Sequence, residues 1–282
     1  MENGLNRTII FLHIPKAAGT TIHSILENQY SSKSIFSIHG GKVQESMDKF
    51  KRLSDKRKRE IILIKGHMKF GLHKFIPQPS TYFSLIRDPI DRIVSHYHYV
   101  LRTPNHYLYN KVKKADMDIK EYVESGISTE LNNGQLRDLS GVGKSFKFGE
   151  CPNNLMKIVR YNINTHFSFI GLFERFDESI IFLKRQFNWK TPYYIHRNVT
   201  KNRMKVKELD SETIKTIIKY NKMDIQFYND YKEKFDKLII QQPVSFFTEL
   251  ATFKIKNKHH VRYNHYNMLI TEKIKMILSK LT

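Results

Sequence analysis

Close to the start of the chain, Thr8 to Ile14 forms a β-rich apolar run that Pro15 brings to an end. A loop of small residues follows, Lys16-Ala17-Ala18-Gly19-Thr20-Thr21, after which Ile22, Ile25 and Leu26 recur at helical spacing. Small side chains let the backbone of such a loop approach an anion. The following helix aims its free N–H groups and the positive end of its dipole at the same spot. Thr20 and Thr21 add hydroxyl donors, and Lys16 adds a full charge at the mouth. This is not a Walker A loop, which places its lysine after a second glycine. On these residues alone, an anion-binding loop and an ordinary strand-to-helix turn with a surface lysine are equally good readings.

The strand-then-helix pattern recurs. Ile61 to Lys65 reads as a buried strand ending at Gly66-His67, and Thr81 to Ile86 as another, after the turn residues Pro77, Pro79 and Ser80. Arg87 follows directly. Asp88 suits a helix N-cap and Pro89 the first helical position. Ile90, Ile93, Val94, Tyr97 and Val100 make the apolar stripe of that helix, and Phe167 to Leu172 reads as a fourth strand. Asp177 is expected to cap a helix through Phe187. Asp210 is expected to cap a further helix with Ile214, Ile217 and Ile218 on its buried side, and Lys222 to Ile240 reads as a long helix. Alternating strands and helices predict an α/β fold in three layers, with a central, mostly parallel sheet flanked by helices. Ligands in such folds sit beyond the carboxyl ends of the strands, where Lys16, His67 and Arg87 fall. Arg87 offers bidentate donors to phosphate oxygens, and Ser95, two helical turns further on, adds another. The alternative is that Arg87 is a buried partner for a carboxylate. Arg92 is expected to pair with Asp88 at helical spacing.

A chain of 282 residues suits one large domain. Residues 1–240 read as that domain, and residues 241–282 as a basic C-terminal extension packed on it. Forty-eight Lys and Arg against 27 Asp and Glu give a formal charge of +21, which favours anionic partners. The run Lys51-Arg52 and Lys56-Arg57-Lys58-Arg59 reads as a solvated helix face, and no nucleic-acid partner is expected. The one cysteine, Cys151, excludes an intramolecular disulfide and argues against a Cys-based zinc site. No metal is expected, and a reducing, cytoplasmic location is. No apolar stretch is long enough to be a transmembrane segment, although a catalytic domain cut from a membrane-anchored parent would look the same.

Two segments together, FLHIPKAAGTTI and SLIRDPIDRIVSHYHYVLR, resemble the sulfotransferase superfamily. They are most similar to the carbohydrate branch that includes heparan sulfate 2-O-sulfotransferase and its bacterial relatives. The likeness continues in order through GHMKFGLH, LNNGQLRDLSG, FIGLFERFDESI and YYIHRNVTKNR, covering residues 8 to 235 in patches. The resemblance implies a P-loop-NTPase-like fold and the donor 3′-phosphoadenosine 5′-phosphosulfate, with no metal. It places Lys16, Ala17, Ala18, Gly19, Thr20 and Thr21 around the 5′-phosphosulfate, and Arg87 and Ser95 on the 3′-phosphate. It also implies that Asn198, Thr200, Lys201 and Arg203 close over the nucleotide. The His of the Gly66-His67 pair becomes the general base that accepts the acceptor's proton, and Lys16 the group that stabilises the leaving phosphate oxygen. His13 is expected to be structural; His73, His96 and His98 are weaker rivals to His67.

Asn133, Gln135 and Arg137 form a polar cluster expected to face the acceptor, with a helix cap or turn as the alternative. The acceptor reads as a carbohydrate hydroxyl, and the basic balance points to an acidic glycan. A protein tyrosine and a small alcohol are the other candidates. Two rival functions share some of these features. A P-loop-like kinase would need a Walker lysine and Mg²⁺ ligands that are not found in the usual places. A non-enzymatic polyanion-binding protein would account for the charge and predicts steep salt dependence.

Overall fold

The computed structural model describes residues 7–143, 145–195 and 204–278. Five strands, β1 (Thr8–Leu12), β2 (Ile35–Ile38), β3 (Leu63–Gly66), β4 (Ser80–Ile86) and β5 (Phe167–Leu172), form one sheet in the order β2-β3-β1-β4-β5. Every pairing in it is parallel. Successive residues of a strand face opposite sides of a sheet. All five residues of β1, all four of β3 and six of seven in β4 are buried, so both faces are covered. This is the three-layer α/β architecture expected from the sequence. The edge strand β2 adds a fifth strand to the four expected.

The helices are α1 (Gly19–Gln29), α2 (Val43–Arg52), α3 (Asp55–Arg59), α4 (Pro89–Leu101), α5 (Tyr109–Lys114), α6 (Ile119–Glu124), α7 (Gly134–Ser140), α8 (Leu155–His166), α9 (Phe176–Phe187), α10 (Ser211–Ile240) and α11 (Val244–Leu278). A main core surrounds the sheet. A second cluster joins α4, α6 and α10 through Ile93, Val94, Val100, Tyr122 and Ile217. At the start of α11, Phe246, Leu250 and Phe253 are buried in the main core, and Glu249 pairs with Lys184 and Arg185 of α9, both at 2.7 Å. In the basic run, Lys51, Arg52, Lys56 and Arg59 are exposed, while Lys58 lies buried over the Phe50 ring.

Local chemistry sets several boundaries as expected. Asp88 accepts from Asp91 N at 2.9 Å with Pro89 in the first turn, and Asp210 accepts from Thr213 N at 2.9 Å. Other expectations are corrected. Asp177 lies inside the first turn of α9, where its carboxylate accepts from the Tyr194 hydroxyl at 2.6 Å instead of capping the helix. Ile218 is 41% exposed, because the buried side of α10 is Thr213, Thr216 and Ile217. Arg92 donates to the Glu130 carbonyl at 2.6 Å, and the carboxylate that pairs at helical spacing is Asp91, with Arg87.

The largest correction concerns Asn133, Gln135 and Arg137. All three are buried and spent on the protein's own backbone. α10 breaks at Asn221, and its second half starts with free N–H groups. The Asn133 carboxamide oxygen accepts from Met223 N and Asp224 N at 3.0 and 2.9 Å. In return, the Asp224 carboxylate accepts from Gln135 N and Leu136 N, the first amides of α7, at 3.0 and 2.9 Å. Each helix thus caps the other. Gln135 grips both backbone groups of Arg87, accepting from its N and donating to its O at 2.9 Å each. Arg137 is 1% exposed and donates to the carbonyls of Asn132, Gly143, Phe146, Lys147 and Glu150. A polar cluster of this kind orders the loop after α7 and fixes the end of β4, which is the helix-cap alternative to an acceptor-facing role.

Asn133→Ala removes two buried acceptor contacts and leaves a left-handed residue without its usual side chain (φ 48°). It is expected to cost about 2–4 kcal/mol in urea unfolding. A loss below about 1 kcal/mol would show that water replaces the missing cap.

Candidate active site

The loop after β1 stands at the carboxyl edge of the sheet. Lys16 and Ala18 adopt left-handed conformations, φ 70° and 60°, although neither is glycine. Each costs about 1–2 kcal/mol, and the turns they make are closed by the Ala17 amide on the Ile14 carbonyl at 3.3 Å and the Thr21 amide on the Ala18 carbonyl at 3.0 Å. Ala18 is the residue before α1, and no side chain caps that helix among the described residues. Gly19 opens α1 because the His13 ring occupies its side-chain position: a Cβ there would stand 1.6 Å from His13 Nε2. Thr20 is exposed and Thr21 buried.

Arg87, at the end of β4, reaches this loop directly. Its Nη1 donates to the Lys16 carbonyl at 2.8 Å, its Nε donates to Asp91 at 2.8 Å, and its plane lies 4.0 Å from the Phe173 ring centroid. The Lys16 ammonium sits 3.8 Å over the Tyr99 ring of α4. Asp91 and Tyr99 are eight residues apart on one helix face, and Ser95 lies midway between them. Ser95 is half-buried on the face of α4 that borders Arg87 and Lys16. Tyr99, Asp91 and Phe173 were not singled out in the sequence, though helical arithmetic from Ser95 reaches the first two.

His67 follows the end of β3. A Cβ on Gly66, whose φ is 140°, would lie 2.0 Å from the Ile38 carbonyl oxygen, so the strand end admits only glycine there. The His67 ring packs against His13 at a tilt of 38°, with centroids 4.1 Å apart, and burial, against the attraction of Glu130 and with the repulsion of Lys16, lowers its pKa. Its imidazole is therefore neutral and able to take a proton. Glu130 accepts from His96 Nε2 at 3.0 Å. Burial would raise its pKa, but the bond and charge of His96, with Arg92 and His67, hold it at about 2. Burial pushes the Asp138 carboxyl up to about 7.

The remaining histidines expected as rivals have other partners. His96 is buried against the Tyr122 hydroxyl (2.7 Å) as well as Glu130, and His98 accepts from Met204 N (3.3 Å). His73 bonds the Tyr82 hydroxyl (3.1 Å) and packs on His166. Asn198, Thr200, Lys201 and Arg203 lie outside the described residues. Cys151 accepts from Asn133 Nδ2 at 3.2 Å, and burial raises its pKa, which keeps it a thiol. Among the described residues no group of three His, Cys, Asp or Glu is placed to hold a metal, and no helix is long and apolar enough to cross a membrane.

Gly19→Ala is expected to destabilise the protein by about 1–3 kcal/mol through the collision with His13. Pairing it with His13→Ala should recover most of that loss in a double-mutant cycle; additive losses would show that the two sites do not touch. Acid stability follows from the same ring cluster. Burial, with Lys65 and His67, lowers His23 from 6.5 to about 4. Above pH 6.5 it is neutral in both states; below that the unfolded chain binds a proton the folded one refuses, so its contribution is lost as pH falls from 6.5 toward 4. Between pH 6.5 and 5, wild type should lose on the order of 1–2 kcal/mol more than His23→Gln. Comparing the two proteins cancels Asp138 and Asp224, whose raised values act in the opposite direction. Parallel pH profiles would contradict the assignment.

The sequence model of the Sulfotransferase family, Sulfotransfer_2, matches residues 6–232. No curated protein matches the chain. Among solved structures, mouse sulfotransferase SULT7A1 complexed with PAP is similar at 15% identity and a TM-score of 0.34 over 75% of this chain, and the chain spans 62% of that one. The family match takes in all five strands, the loop after β1 and the Arg87 helix: the chain belongs to the sulfotransferase family.

Proposed function

We propose that this protein transfers a sulfuryl group from 3′-phosphoadenosine 5′-phosphosulfate to a hydroxyl of a carbohydrate, as its motifs' resemblance to the heparan sulfate 2-O-sulfotransferase branch implies. The observation that carries the reading is the 2.8 Å bond from Arg87 to the Lys16 carbonyl. It brings Arg87 and the Lys16 loop together at one edge of the sheet, which supports a reading in which they hold the 3′ and 5′ phosphates of one nucleotide. The loop amides, Lys16, Thr20 and Thr21 take the 5′ end; Arg87 and Ser95 take the 3′-phosphate; Asn198, Thr200, Lys201 and Arg203 cover it. We take residues 1–240 as the catalytic domain and 241–282 as its basic extension. A reducing compartment, the cytoplasm, suits a chain with one thiol.

The bound donor supplies an activated sulfuryl group whose transfer needs in-line positioning and charge stabilisation, as phosphoryl transfer does. Lys16, held at the loop mouth by Tyr99, brings its charge to the phosphate oxygen on which negative charge grows; one such donor is worth about 10²–10³ in turnover. His67, kept neutral by burial, takes the proton of the acceptor hydroxyl, a contribution of about 10²–10⁴. Excess positive charge favours an acidic glycan as the acceptor.

Calorimetric titration of adenosine 3′,5′-bisphosphate against ATP tests the donor. The bisphosphate should bind more tightly, and Arg87→Ala should shrink the preference by roughly 1.5–3 kcal/mol per lost charge-assisted bond. Binding equal to or weaker than ATP's would sink the reading. His67→Ala should leave bisphosphate affinity unchanged while sulfation of a glycan acceptor falls by about 10²-fold or more.

A further inference from the structure

α11 packs on the domain with one face and leaves a second apolar stripe on the other. Phe246, Leu250, Phe253 and Asn257, spaced by four, three and four residues, form the buried face. Asn257 Oδ1 accepts from Tyr194 N at 2.8 Å, and the His260 ring stacks on Tyr193 with centroids 5.6 Å apart. Beyond His260 the hydrogen bonds of the described side chains stay within the helix. On the opposite face, Val244, Ile255 and Tyr266 stand eleven residues apart, or about three turns, and so fall on one line; Tyr263 and Ile270 lie beside it. These side chains are between 39% and 81% exposed. At 1.5 Å per residue the stripe is about 40 Å long.

The flanks of this stripe carry one sign of charge. From Leu250 to Thr271 the sequence holds no Asp or Glu, while Lys254, Lys256, Lys258 and Arg262 are all exposed. At about 100° per residue, Lys256 lies to one side of the stripe and the other three cations to the other. A helix face made for water mixes signs at i,i+4; this one sets apolar side chains between rows of cations. Lysine and arginine stems lie along apolar surface while their heads reach a charged layer, and tyrosine puts a ring and a polar tip at the same boundary. We infer that the outer face of α11 binds an anionic lipid surface, its apolar stripe entering the headgroup boundary and its four cations meeting acidic headgroups. The helix lies on the membrane rather than across it; among the described residues no helix is long and apolar enough to span one. A second copy fits this face poorly, since two-fold pairing of the stripes brings cationic flanks together. A soluble polyanion satisfies the cations and leaves the stripe in water. The inference goes beyond the sulfotransferase reading and does not depend on it.

Co-sedimentation of the full chain with lipid vesicles at low salt tests this. Vesicles of phosphatidylcholine with phosphatidylserine should pellet the protein, and phosphatidylcholine alone should not. Each of Lys256→Gln, Lys258→Gln and Arg262→Gln should weaken binding about 5-fold, and the three together roughly 100-fold. Ile255→Ser combined with Tyr263→Ser and Tyr266→Ser should weaken it about 10-fold or more at unchanged charge. All these side chains are exposed, and an unchanged Tm confirms that the variants fold. Hydrogen exchange on wild type needs no variant: the α11 amides beyond His260 should exchange more slowly on phosphatidylserine vesicles than in solution. Wild type that ignores phosphatidylserine vesicles, or that binds them with exchange in α11 unchanged, overturns the inference. So does a serine variant that binds as wild type does, which would make the face a site for polyanions in general. Concentration-dependent dimers abolished by the serine substitutions would assign the stripe to a second copy and overturn it as well.

Discussion

The Asp224 carboxylate is fully buried and holds the first two amides of α7, while Asn133, from the residue before α7, holds the restarting amides of α10. Neither helix end has water to fall back on, and each unmet amide costs about 1–3 kcal/mol. The pair therefore forms or fails together. Its consequence reaches the sheet edge: Gln135, locked on the first turn of α7, clamps the backbone of Arg87, and Arg87 ties down the carbonyl of Lys16. A continuous set of hydrogen bonds runs from a break in a long helix to the loop after β1. The position of the two cationic elements is thus inherited from a packing problem solved well away from them.

The loop itself is assembled against local preference. Two non-glycine residues are held left-handed, and a strand-end histidine fills the space a side chain at Gly19 would need. Such strain persists only where the surroundings over-determine it. Here they do so with uncharged rings. Burial lowers the pKa of each histidine under the loop, so the positive charge beside it is carried by groups such as Lys16 and Arg87 rather than by imidazoles.

Much of this frame was legible in the residues. β-rich runs ending at Pro15, Gly66 and Arg87, and the Asp88-Pro89 start of α4, carry strong local signals, and they place the loop, His67 and Arg87 at one edge. Less legible was β2, four residues at the sheet's edge of which three are half-buried, with no alternation to mark them. Asn133, Gln135 and Arg137 were misread because a polar residue near a glycine looks the same whether it meets solvent or a distant helix end. The partners of Asn133 and of the Gln135 amide lie about ninety residues downstream, at a break in α10 that nothing in its helical pattern announces, and the Gln135 side chain bonds Arg87, 48 residues upstream. The contacts of Lys65 with His23 and of His23 with His13 were invisible for a similar reason: they cross from β3 to α1 to the residue after β1, and no spacing along the chain encodes them.

The strand order has a consequence for how the molecule comes together. β1 is the central strand, yet its partners are β3, beginning at Leu63, and β4, beginning at Ser80. Loop closure over such separations precedes any pairing, and sheets of this kind form slowly for that reason. During synthesis the first strand and the loop after it leave the ribosome well before either neighbour exists. The segment made first waits, apolar and unpaired, for residues translated much later, and that interval is when this chain is most exposed to wrong partners.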